Sequence, residues 1–369
     1  MRSAAAKRRG TEMREVGRIV GYVPTNWSNS RNSEGCFIRR KDGAILYAWS
    51  NYHSGGADDS PCEIGCIVSH DEGETWGERH YLYHNSGRDN IMCPSLMRMQ
   101  NGDMGMFFIH RNAAENPGCD FMEVAQTWFV RSSDEGKTWS EPIVITHPDE
   151  YFVFENGHAI MLKSGRILVP VAFHGGRPFR GHASTAYFMS DDDGRTWYEA
   201  DERYEGVPEP WSDSGLQEPM AFETSYGVIR TFSRTDLFYQ YESDSFDDGK
   251  TWTKPMPNRG FSSPCAPMMI KPVKDLFVAL FNPVPKFVTR VREVDDERSP
   301  LIALVSRDGG RTFPWDDPLI IDWRGHSAYP DLFDGGSYML AGYQADPNDS
   351  VIKKITYAEL VDPGAYPFD

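Results

Sequence analysis

Short apolar runs rich in Val, Ile, Phe, Tyr and Trp alternate along this chain with turns marked by Gly, Asp and Asn, and no long stretch keeps a helical period. The pattern predicts a strand over 34–41, a turn at Asp42-Gly43, a return over 44–50, a third strand over 63–68 and a fourth over 79–84. The same order recurs over 93–99, 104–110 and 126–131, then over 158–162, 167–173 and 184–189. It continues over 218–222 and 228–233, over 266–270 and 276–281, and over 328–332 and 338–343.

The third strand of each of the first five units runs into one motif, S-x-D-x-G-x-T-(W/F), at 69–76, 132–139, 190–197, 245–252 and 306–313. Its aspartates, Asp71, Asp134, Asp192, Asp247 and Asp308, are 63, 58, 55 and 61 residues apart, which announces a repeat architecture. A short Asp side chain can accept backbone N–H groups, Gly can take φ > 0, and the closing aromatic has area to bury. Five copies are more than one active site needs, so the motif reads as a structural turn.

The sixth unit has no such motif. Its third strand is expected over 351–360, and 16–23, otherwise unclaimed, can supply the fourth. The expected fold is therefore all-β: a six-bladed β-propeller of four-stranded antiparallel blades, closed by the N- and C-terminal strands together in the last blade. Residues 1–13 read as a disordered leader and 14–369 as a single propeller domain.

A meander of this kind sends the starts of first strands, the ends of second strands and the loops after them to one rim around the axis, with the turn motifs on the opposite face. Reading off that rim gives Glu34 with Asn51, Tyr52 and His53; Cys93 with His110 and Arg111; Asn156 and His158 with His174 and Arg177; Gln217 and Glu218 with Arg234; Cys265 with Asn282; and Tyr329 with Gln344. Loops add Asp58, Asp59, Arg290, Arg292 and Arg298. A single histidine or arginine at a strand end is usually only hydrogen-bonded or solvated; the concentration of ionisable groups on one face points to a site.

The net charge of −16 offers no basic stripe and argues against nucleic acid as a partner. No apolar run approaches a membrane span, and no apolar segment follows the basic cluster Lys7-Arg8-Arg9 as a signal peptide requires, so a cytoplasmic location is expected. Six scattered cysteines favour free thiols over a disulfide frame, and Cys62 and Cys66 have no matching pair that would make them a metal site.

The turn motifs look like Asp-boxes, and the chain resembles the sialidase (exo-α-neuraminidase) superfamily over essentially its whole length. Ser-Ala-Tyr329-Pro-Asp-Leu is similar to the segment holding that family's tyrosine nucleophile, and Gln217-Glu218 with Arg234 in Thr-Phe-Ser-Arg to the blade with its glutamate partner and a substrate-binding arginine. Asn156-Gly157-His158 through Pro170 resembles the third blade, and Asn282-Pro283 recurs in the fifth. Asp58 or Asp59 stands where the family keeps its general acid, and Asp59 is taken for that role.

The resemblance implies a retaining exo-glycoside hydrolase acting on a terminal acidic sugar, with Tyr329 as nucleophile, Glu218 as its base and Asp59 as acid, and with no metal or cofactor. Arg234, Arg298, Arg290 and Arg292 are candidates to bind the substrate carboxylate, with Asp58, Glu34, Arg111, His110, His158 and His174 as further binding candidates. One departure matters. The family's first-blade arginine is replaced by Ser33-Glu34, and Arg31, the nearest arginine, is out of register, so Arg111 or Arg177 would have to compensate. Two alternatives follow: a glycosidase of the same fold acting on a different sugar, and a carbohydrate-binding propeller without catalysis.

Overall fold

The computed structural model describes residues 14–85, 90–111, 124–176, 179–205, 212–284 and 298–362. Among these described residues the structure is all-β but for one short helix, Tyr357–Val361. That helix corrects the expected strand over 351–360: the strand Asp349–Thr356 stops where the Thr356 hydroxyl and the Glu359 carboxylate cap each other's backbone.

The strands form a propeller arrangement, but the six separate four-stranded blades expected from the repeat are not what the hydrogen bonding gives. Among the described residues four sheets stand as separate blades, and the first two units are fused into one eight-stranded sheet. The fusion is local: Cys62, opening the third strand of the first unit (Cys62–Ser69), pairs in parallel with Asn90, opening the first strand of the second (Asn90–Arg98).

The separate blades also depart from a uniform count of four. In the third unit the first strand is broken into Phe152–Val153 and Ile160–Met161, both on Ile167–Phe173, which makes five strands. The fifth unit gains Arg14–Glu15, parallel to Leu319–Asp322. The fourth unit has four strands, from Gln217–Glu223 to Met256–Ser262. The last sheet also has four, with Arg18–Val23 pairing antiparallel to Asp349–Thr356.

Every copy of the repeated motif folds alike. In the second copy Ser132 Oγ donates to Asp134 Oδ1 at 2.8 Å and accepts Gly136 N at 2.8 Å, while Thr138 gives its backbone N–H to Oδ1 at 2.9 Å and its hydroxyl to Oδ2 at 2.6 Å. These charge-assisted bonds hold Asp71, Asp134, Asp192 and Asp308 down to about 2. The closing aromatic reaches the unit before it. Trp139 meets Tyr83, Trp197 meets Phe107, Trp252 stacks on Tyr187 with centroids 3.9 Å apart, and Phe313 meets Phe222. The motif therefore closes a turn and packs neighbouring units together, and no motif residue lines the cavity described next.

Candidate functional site

Four first strands carry the same irregularity near their starts. Pairing with the second strand slips between Ser33 and Cys36, between Met92 and Ser95, between Gln217 and Met220, and between Ala328 and Asp331. Inside each slip one residue takes positive φ: Glu34 at 47°, Cys93 at 57°, Glu218 at 43° and Tyr329 at 51°. Such bulges re-aim a side chain, and the left-handed conformation of bulky residues is strain that the surrounding structure must hold. All four residues line one cavity of about 230 Å³. Gly35 follows Glu34 because a Cβ there would lie 1.9 Å from the Tyr47 hydroxyl.

Arginines gather around Tyr329. The Arg298 guanidinium lies 5.2 Å from the centre of its ring and that of Arg31 6.0 Å. Arg234, at the end of Ile229–Arg234, places Nη1 2.5 Å from Glu218 Oε1 and donates from Nε to Cys265 Sγ at 3.1 Å. Burial pushes the Tyr329 phenol up from its ordinary value; Arg298, Arg234 and Arg31 oppose the shift and Glu218 adds to it. The phenol is therefore protonated at neutral pH and needs a base to become a nucleophile.

Arg31 corrects the sequence reading. It lines the cavity, only 8% exposed, ion-paired to Glu34 and held 2.7 Å from Asp58 Oδ1 through Nη1. In a regular strand residues 31 and 34 face opposite sides; the bulge at Glu34 turns both toward the axis. The cation compensating Glu34 is thus Arg31 itself. Arg111 also lines the cavity, where it donates to the Asp58 carbonyl at 3.2 Å.

Both candidate acids are exposed, but of the two only Asp58 lines the cavity. Desolvation pushes the Asp58 carboxyl up, but Arg31, Arg111 and Arg234 outweigh it and hold the group below the usual range. His174 lines the cavity, stacked on Phe179 and bonded through Nδ1 to the Arg180 carbonyl at 2.9 Å. His110 and His158 lie outside the lining. His110 stacks on Trp128 with centroids 3.8 Å apart, and burial lowers it to about 4. His158 is buried with Nδ1 3.0 Å from the Pro219 carbonyl. Arg290, Arg292 and Arg177 lie outside the described residues.

Glu155 was missed in the sequence. It is a buried, cavity-lining carboxyl, which burial, Glu218 and Glu34 together push well above the carboxylate range. Its one signal was adjacency to Asn156. Among the described residues no cluster of His, Cys, Asp and Glu has the geometry to hold a metal ion, and the five described cysteines are free.

Known proteins resemble this chain in sequence and fold. The sequence profile of the BNR repeat-like domain matches residues 25–340. A sialidase of Bacteroides fragilis (strain YCH46) is 32% identical over 262 residues, 64% of this chain and 43% of that protein. A sialidase of Paraclostridium sordellii is 25% identical over 252 residues, 62% of this chain and 60% of that protein. The chain thus spans less than two thirds of either curated relative. Among solved structures, the Hadza microbial sialidase Hz136 superposes with a TM-score of 0.70 at 20% identity, over 89% of this chain and 66% of that one. With the profile covering most of the chain, the protein belongs to the BNR repeat-like domain family.

Proposed function

We propose that the protein is a sialidase-like glycoside hydrolase that removes a terminal acidic sugar from a glycoconjugate with retention of configuration. The observation that carries this reading is the convergence of Arg31, Arg234 and Arg298 on Tyr329, with Glu218 beside them. Guanidinium groups suit a substrate carboxylate because their N–H donors match it in pairs. A substrate with a carboxylate on its anomeric carbon repels a carboxylate nucleophile, whereas a phenol avoids that repulsion; sialidases are among the glycosidases that use tyrosine.

In the first step the Tyr329 oxygen bonds to the anomeric carbon, its proton passes to Glu218, and the bond to the leaving oxygen breaks as an acid protonates it. Water, deprotonated by the conjugate base of that acid, then displaces the tyrosyl oxygen, which recovers its proton from Glu218. Asp58 suits the acid better than Asp59 because it lines the cavity. Two inversions give net retention.

The test is hydrolysis of an aryl sialoside, with product configuration followed by proton NMR. Tyr329→Phe is expected to abolish turnover without changing the melting temperature, and undiminished activity in that variant defeats the mechanism. A second reading rests on Glu34, which neutralises Arg31 and so favours a sugar other than sialic acid. A panel of aryl glycosides and sialosides separates the two. Binding of a sugar by calorimetry with no product over days would instead favour a propeller that binds carbohydrate without cleaving it.

A further inference from the structure

The four strained residues of the cavity come from four different first strands, so something must hold them against relaxation. Their backbones meet at one tripeptide, Asn156-Gly157-His158, in the broken first strand of the third unit. Asn156, 1% exposed, donates from Nδ2 to the Gly35 carbonyl at 2.7 Å and to the Tyr329 carbonyl at 3.3 Å. Gly157 donates its N–H to the Pro94 carbonyl, next to Cys93, at 3.3 Å. His158, 2% exposed, bonds through Nδ1 to the Pro219 carbonyl, next to Glu218, at 3.0 Å.

We infer that Asn156, Gly157 and His158 form an axial hub that positions Tyr329, Glu218 and Glu34 for the reaction, touching no substrate themselves. Each of the four bulges offers it a carbonyl, and the hub supplies the donors. The chemistry of the tripeptide fits that task. Asn provides two N–H donors from one nitrogen and carries no charge. Gly157 has φ of 67°, and a Cβ there would lie 2.7 Å from Asp331 Oδ1, so glycine is required both for conformation and for space. His158 is buried so completely that its pKa falls to about 3, with the nearby charge of Lys271 adding to the shift; a neutral ring with its proton on Nδ1 donates to Pro219. Asp331, two residues beyond Tyr329, completes the tie by accepting Phe37 N at 3.0 Å and Lys271 Nζ at 2.5 Å.

The inference rests on the reading of this cavity as a glycosidase site, and its test separates the two. His158→Leu removes the donor to Pro219; His158→Asn keeps an amide donor close to where Nδ1 stands; Asn156→Ala removes the donor to Gly35 and Tyr329. With the full chain and an aryl sialoside, His158→Leu and Asn156→Ala are expected to lower kcat about 100-fold with KM changed by less than about 3-fold, the signature of misplaced reacting groups. His158→Asn is expected to recover most of the loss. Unchanged kcat in both donorless variants, or no recovery in His158→Asn when His158→Leu is impaired, overturns the hub.

If Asn156→Ala does not fold, the two His158 variants decide. If the wild-type protein has no turnover on any glycoside, the functional reading fails and the hub is judged by crystal structures of the same variants. Glu218 or Tyr329 leaving positive φ supports it, and four unchanged bulges overturn it.

Discussion

Arg31 Nη1 lies 2.7 Å from Asp58 Oδ1, so the carboxyl that the proposed mechanism uses as its acid is held below the usual carboxylate range by one of the cations proposed to bind the substrate carboxylate. A bound anion that shares Arg31 weakens its hold on Asp58 and raises the pKa of that carboxyl. On the proposed mechanism, substrate entry and proton supply are linked through one guanidinium.

Asp58→Asn is therefore expected to lower kcat by about 10²–10⁴ on a natural glycoside, whose leaving oxygen needs a proton, and by far less on an aryl glycoside with an acidic phenol. Asp59→Asn should change neither by more than about 3-fold, within the range of a surface substitution. Steady-state kinetics on the two substrate types checks both, and the reverse ranking would assign the acid to Asp59.

Arg31 also bears on stability, because Glu34 is 1% exposed and paired to it. Arg31→Ala leaves a buried carboxylate without its cation and is expected to cost about 3–5 kcal/mol. Adding Glu34→Gln to that variant should recover much of the loss, since a neutral amide is easier to bury. Urea unfolding of the two single variants and the double variant gives the coupling directly.

Trp252 tests the structural role of the repeated turns. It stacks on Tyr187 of the preceding unit at an interplanar angle of 10° and is 8% exposed. Trp252→Ala is expected to lower stability by about 3–5 kcal/mol while leaving KM unchanged at temperatures where the variant stays folded. A change in KM with little loss of stability would place this turn in function.

Acid should loosen the turns. Asp71, Asp134, Asp192 and Asp308 have folded-state values of about 2, below the ordinary aspartate value of about 3.9. A lowered folded value means stability that is fully present above the unfolded pKa and is lost as pH falls through the folded one. Melting temperatures are expected to fall between about pH 4 and pH 2, and the slope should be shallower in a variant with one of these aspartates replaced by Asn.

The sequence alone determined the all-β class, the repeat and the turn chemistry, because each depends on residues close together in the chain. Ser132, Asp134, Gly136 and Thr138 satisfy one another within a single turn, and no distant contact is needed to read them. It also brought Tyr329, Glu218 and Arg234 to one rim, since a meander reverses direction at every strand. What it could not determine was the strand pairing at Cys62 and Asn90, which merges two units, or the inward turn of Arg31, which alternation along a regular strand places on the wrong face. That turn depends on positive φ at Glu34, beside a carbonyl held by Asn156 from 121 residues away in sequence. Local patterning specifies where strands begin and end; which side chains leave the regular alternation to enter the cavity is decided by hydrogen bonds that exist only once the propeller has assembled.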